Sequence, residues 1–170
     1  MKKILLSACA VVAFGFVARA QNDGGFKAGI HIGPTIGDAA DIYNLNAGVD
    51  LAYTFAVSDK FTAGVTTGYS YYSGKSVDYN DGTFAYSAKI NGAFIPVAAT
   101  GQYSVTESIF AGADLGYAVY VGEGNGDGGF YYQPKVGYQH EFFEVYAGYK
   151  GISANGATLS SINLGFNYKF

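Results

Sequence analysis

The sequence predicts an all-β chain, an eight-stranded antiparallel up-and-down transmembrane β-barrel. Apolar and polar residues alternate along one segment after another, the period of a strand whose two faces meet different surroundings. The 170 residues include Gly 25, Tyr 16 and Phe 13 but only Pro 3, a composition of strand formers and of residues that fit tight spaces. The last stretch, Ser161 to Phe170, alternates without an error: Ile162, Leu164, Phe166, Tyr168 and Phe170 fall on one face, and Asn163, Gly165, Asn167 and Lys169 on the other. Bulky aromatics at a strand end suit an outer face that meets lipid and its boundary.

Taken from the front, Met1 to Ala20 reads as a cleaved signal peptide: Lys2 and Lys3, an apolar run from Ile4 to Val17, then Ala18-Arg19-Ala20 ahead of a cut before Gln21. The run is shorter than the roughly 20 apolar residues of a spanning helix. Leu6-Ser7-Ala8-Cys9 mimics a lipoprotein box, but too short a hydrophobic stretch precedes it. The expected organisation is residues 1–20 as signal peptide and 21–170 as one barrel. Cys9 is the only cysteine and leaves with the signal, so no disulfide or thiol chemistry remains. The formal charge of −3 becomes more negative once Lys2, Lys3 and Arg19 are removed, and the remaining lysines are scattered singly, which argues against nucleic acid as a partner. No long apolar helix follows the signal, so a membrane protein here spans as a barrel.

The first strand runs Phe26 to Gly33, with Phe26, Ala28, Ile30 and Ile32 outward, and Pro34 ends it. A loop through Asp38 and Asp41 leads to the second, whose outer face is Leu45, Ala47, Val49, Leu51, Tyr53 and Phe55. A short turn at Val57 to Lys60 precedes the third, Phe61 to Tyr71. Ser73 to Ser87, rich in turn formers, reads as a longer loop. The fourth strand is placed at Lys89 to Tyr103, with Ala93, Ile95, Val97, Ala99, Gly101 and Tyr103 outward and Pro96 removing one ladder bond. A turn at Val105 to Ser108 leads to the fifth, Ile109 to Val121, and the glycine-acid loop Gly122 to Gly129 leads to the sixth, Phe130 to Gln139, where Pro134 has no evident reason. The seventh is Phe143 to Gly151, and a small polar loop reaches the terminal strand. An even count puts both ends on one side, with short turns there and mostly longer connections opposite.

With its aromatic-ended final strand and alternating segments, the mature chain resembles the small eight-stranded outer-membrane barrels of the OmpX and OmpA-transmembrane type, and the outer-membrane β-barrel domain proteins of the porin family. The resemblance implies residence in the outer membrane, contact with its lipid and lipopolysaccharide, and assembly by the barrel-assembly machinery, which would read Ile162, Leu164, Phe166, Tyr168 and Phe170. A monomer is expected. Two departures stand out: Trp is absent, so Tyr and Phe must form the interfacial girdles, and nothing after Phe170 could bind peptidoglycan.

The interior of an eight-stranded barrel is about wide enough for side chains to fill. Lys27, Asp50, Asp114, Lys135 and Lys150 should point inward as a lumen polar network, with Lys89 also inward and Lys135 paired to Asp50 or Asp114. Small inner-face residues, among them Gly48, Gly68, Gly112 and Gly165, fit a crowded lumen. His31 points inward with no serine or acid partner evident from spacing, and His140 sits beside Glu141 in a turn, so no catalytic residues are assigned. No cofactor or metal is expected: the Gly122 to Gly129 loop lacks the full calcium pattern and reads as a surface loop. The role expected is structural or surface-interacting and non-enzymatic. The alternatives are a narrow porin, or a secreted lipocalin-like barrel binding an apolar ligand, which would turn the apolar faces inward.

Overall fold

The computed structural model describes residues 24–80, 85–89, 91–122, 124 and 126–170. The signal-peptide reading of residues 1–20 and the start at Gln21 lie outside them. The elements are β1 (Gly25–Ile36), α1 (Ala39–Ile42), β2 (Tyr43–Ser58), β3 (Phe61–Gly74), β4 (Ser76–Asn80), β5 (Ala85–Lys89), β6 (Gly92–Ser104), β7 (Ile109–Tyr120), β8 (Gly129–Gln139), β9 (Phe143–Ala154) and β10 (Ala157–Lys169). Eight of the strands close an antiparallel up-and-down barrel in the order β1-β10-β9-β8-β7-β6-β3-β2, and β4 and β5 form a separate two-stranded sheet. The seam that closes it joins β1 to β10, from Lys27 opposite Lys169 to Ile36 opposite Ser160.

Alternation sorts the side chains as a period of two requires. Ile30, Val65, Val97 and Leu164 on the outer face are 61%, 62%, 58% and 64% exposed, while Asn46, Lys150, Ser161 and Asn163 on the inner face are 0% exposed. The apolar faces therefore point out, which removes the lipocalin-like alternative. Barrel strands of 11 to 16 residues reach or exceed the roughly 9–11 that cross a bilayer at a tilt. Tyr and Phe gather near the turn end, where Phe26 meets Phe170 at 5.5 Å and Phe143 stacks on Phe166 at 6.0 Å. Towards the loop end, Tyr132 stacks between Phe130 and Tyr149 at 6.0 and 5.9 Å.

Several boundaries differ from the sequence reading. β1 does not stop at Pro34 but runs on to Ile36. Pro34 keeps a partner in Leu45 of β2, whereas the β1–β10 ladder skips Gly33 and Pro34 and resumes at Thr35 in the same register. Pro96 and Pro134 behave alike. Pro96 pairs with Ala118, and the β3–β6 ladder is interrupted between Thr67 and Ser70. Pro134 pairs with Ala113, and the β8–β9 ladder is interrupted between Tyr132 and Lys135. A proline lacks only one donor, so each can sit inside a barrel strand if one side of the ladder yields. At Pro96 the free carbonyl accepts a 2.8 Å bond from Thr67 Oγ1 instead.

The loop through Asp38 and Asp41 contains the short helix α1. The expected loop from Ser73 to Ser87 is largely the hairpin β4–β5, so the fourth barrel strand begins at Gly92 rather than Lys89, and Lys89 is the last residue of β5 in the hairpin rather than part of that barrel strand. Ala93 keeps the outward parity of Ile95 and pairs with the outward Tyr71, yet it is 4% exposed, because the chain after β7 folds across it and Val121 N donates to its carbonyl at 2.8 Å. The terminal strand starts earlier than expected, at Ala157, after a tight turn at Asn155 and Gly156 with φ of 51° and 81°. Asn-Gly is the pair that this left-handed hairpin turn favours.

Candidate functional site

The chemistry of the chain is gathered in the lumen. At the turn end Lys27 on β1 donates from Nζ to Glu144 Oε1 on β9 at 2.6 Å and to Gln102 Oε1 on β6 at 3.2 Å. Glu144 also accepts from Gln102 Nε2 at 3.1 Å and Asn167 Nδ2 at 3.2 Å, and Gln139 links Gln102 to Ser104. The carboxylate is thus saturated by donors from neighbouring and opposite walls.

At mid-height Lys135 on β8 reaches both carboxylate oxygens of Asp114 on β7 at 2.9 Å and lies 5.6 Å over the Tyr146 ring. Gly165 lets that ring in, since a Cβ there would overlap it. Asp50 on β2 does not meet Lys135 directly. It accepts from His31 Nδ1 at 2.7 Å and from Tyr146 Oη at 3.2 Å. A carboxylate on Nδ1 fixes that nitrogen as the donor, so Nε2 is the acceptor. It faces Lys150 Nζ at 2.9 Å and Ser70 Oγ at 3.1 Å, and Lys150 also donates to Ser70 at 2.8 Å. With His31 neutral, the charges of Lys27, Lys135 and Lys150 cancel those of Asp50, Asp114 and Glu144.

Above this layer the lumen turns apolar. Tyr43, Tyr72, Phe94 and Tyr120 form a chain of edge contacts at 5.8, 5.8 and 5.2 Å across β2, β3, β6 and β7. Ala98, Ala118, Tyr131 and Ile152 are buried with them, and Leu159 packs alongside. Below, the ion pairs surround a cavity of about 20 Å³, lined by residues that include Lys27, Asp50, Thr54, Asp114, Gln133, Lys135 and Glu144. That is space for about one water.

The structure brings the five sequence-predicted lumen residues together, but distributes them over three connected groups. His31, for which spacing showed no evident serine or acid partner, has both an acid and a serine. Asp50, His31 and Ser70 follow the connectivity of an acid–histidine–serine triad, yet nucleophilic catalysis needs a site about 3 Å from the serine for a reacting atom. Ser70 is 1% exposed, does not line the cavity, and shares His31 Nε2 with an ammonium. Sequence reasoning did not single out Glu144, Gln102, Gln139 or Asn167. Strand parity places Glu144 inward, and its position at the turn end, where Lys27 also lies, is the signal that could have joined them. Among the described residues no cluster of His, Cys, Asp and Glu suits a metal ion. Ile162, Leu164, Phe166, Tyr168 and Phe170 stand outward on β10 and at its end, each 43% to 64% exposed.

No family model matches the chain, and a search of curated proteins finds no match. Solved structures do match in fold. The attachment invasion locus protein Ail of Yersinia pestis is 15% identical, with 89% of this chain and 100% of that one covered at a TM-score of 0.54. Its backbone structure in a phospholipid bilayer nanodisc gives 16% identity, 85% and 99% coverage and a TM-score of 0.51. A designed transmembrane β-barrel gives 15% identity, 90% and 100% coverage and a TM-score of 0.52. A designed barrel matching as well as a natural one means that the likeness is of fold and carries no activity with it.

Proposed function

We propose that this chain is an integral outer-membrane barrel with a structural or surface-interaction role and without enzymatic activity, its lumen closed by its own side chains. The observation that carries the reading is the inverted burial: an apolar outer face such as Ile30 and Leu164, 61% and 64% exposed, around an inner face of paired charges. An exposed apolar surface of that extent is matched by lipid and not by water. The aromatic groups towards its two ends support a bilayer boundary at each. Export through residues 1–20, recognition of the β10 face by the assembly machinery, contact with lipopolysaccharide and a monomeric state complete the proposal.

The closed-lumen part is supported by the aromatic layer at the loop end and the 20 Å³ cavity below it. The absence of catalysis is supported by the enclosure of Ser70. A surface role is supported by the β4–β5 hairpin, which stands apart from the barrel sheet. The Yersinia pestis neighbour is by name an attachment protein, and attachment is one form that such a role takes. Gel mobility of detergent-refolded protein with and without boiling, followed by conductance across a planar bilayer, tests both parts. A boiling-dependent shift without stepwise conductance is expected. Solubility in plain buffer with no shift would overturn the membrane reading, and steady solute-sized conductance would turn it into a porin.

A further inference from the structure

We propose that His31 and Lys150 form a proton-sensing pair inside the barrel, which holds the loop-end half of the lumen packed only while His31 is neutral. Lys150 is fully buried, and the partners of its Nζ are neutral: His31 Nε2 at 2.9 Å and Ser70 Oγ at 2.8 Å. Lys27 and Lys135 each touch a carboxylate, whereas the charge of Lys150 reaches Asp50 only through the imidazole. His31 therefore works as a spacer, donating to the acid from one nitrogen and accepting from the ammonium at the other.

A proton taken from solvent by Nε2 turns that acceptor into a donor. Two donors, both positively charged, then face each other at the 2.9 Å now bridged by a hydrogen bond. Asp50 already sits 2.7 Å from Nδ1 and also holds Tyr146, so it attracts the imidazolium without relieving the second contact. Ser70 Oγ on β3, 3.1 Å from Nε2 and 2.8 Å from the ammonium, has two acceptor lone pairs and can take a bond from each, but it carries no charge and does not part the two cations. Asp114 on β7 and Lys135 on β8 neutralise each other at 2.9 Å. The ammonium must leave His31, and the aromatic layer that includes Tyr72 and Phe94 adjoins Ser70, the residue both members of the pair touch: Ser70 is opposite Phe94 in the β3–β6 ladder. Acid thus loosens the packing between β1, β3 and β9.

The inference rests on the closed lumen proposed above, and the two are tested apart. Conductance at about pH 7.5 addresses the closed lumen alone. The pair is read from the temperature at which the boiling-sensitive gel band disappears, compared at about pH 7.5 and about pH 5.5, where histidine titrates and ordinary carboxylates stay ionised. The wild-type temperature is expected to fall by several degrees at the lower pH and to recover on return. His140→Asn, in the exposed turn, should show the same fall, and His31→Asn none. A flat wild-type response, or a fall retained in His31→Asn, overturns the proposal. If His31→Asn does not fold, Lys150→Met removes the opposing cation instead: its temperature should not fall on acidification, and an undiminished fall overturns the pair.

Discussion

Removing either charge of the Lys27–Glu144 pair should damage the barrel far more than removing both. The two side chains are 6% and 2% exposed and 2.6 Å apart. At an effective dielectric near 20, that separation corresponds to about 6 kcal/mol of attraction. Taking the two ions out of water costs several kcal/mol each, so the intact pair contributes little net. Lys27→Met leaves Glu144 with only the neutral donors Gln102 and Asn167, and Glu144→Gln leaves the Lys27 ammonium with only neutral acceptors, the amide oxygen that replaces the carboxylate and Gln102 Oε1 at 3.2 Å. Each single change is expected to cost about 3–5 kcal/mol, the penalty of a buried charge without its partner. The double variant keeps an acceptor for Gln102 and Asn167 and carries neither charge, so it should fall within about 1–2 kcal/mol of the wild type. Urea unfolding in lipid vesicles, followed by gel mobility and circular dichroism, gives the four stabilities of the cycle. A coupling of at least about 3 kcal/mol is expected. Losses that add to within about 0.5 kcal/mol would refute the account of the lumen as a set of mutually dependent charges.

Lys135→Met strips both oxygens of Asp114 of their 2.9 Å partner, and Asp114 is 4% exposed, so heat resistance of the folded band should drop by the equivalent of about 3 kcal/mol. Lys75→Met, on an exposed residue, should stay within about 0.5 kcal/mol of wild type in the same gel assay, and equal losses would count against the pairing. Phe170→Ser removes a side chain that is 63% exposed and touches Phe26 and Tyr168 through ring contacts at 5.5 and 5.0 Å. Folded stability should change by about 1 kcal/mol, while the yield of assembled barrel in the outer membrane of producing cells should fall several-fold; unchanged yield would remove the terminal strand's proposed role as an assembly signal.

The outer and inner faces of the strands were legible because alternation is local: each residue's side follows from its neighbours two positions away. Ile162 to Phe170 needed no other part of the chain to declare a greasy face and a polar one. The three prolines were less legible, since a missing donor becomes tolerable only if one neighbouring ladder yields, and the partners that decide this lie on other strands. The hairpin between β3 and β6 was hidden for a related reason: turn-forming residues mark where a chain bends, and not whether the flanks then pair.

By itself the sequence determined a chain of short alternating segments with small residues inward and aromatics outward, and hence a closed barrel suited to a bilayer. Only the tertiary structure decided which charge meets which. Lys27 finds Glu144 across 117 positions and Lys150 finds His31 across 119, contacts set by closure of β1 onto β10 and by the register of every ladder between. His31 shows the difference most plainly. Its inward direction follows from the period of one strand, but its place between Asp50 and Lys150 depends on side chains from three strands converging in a lumen too narrow for any of them to remain unpaired.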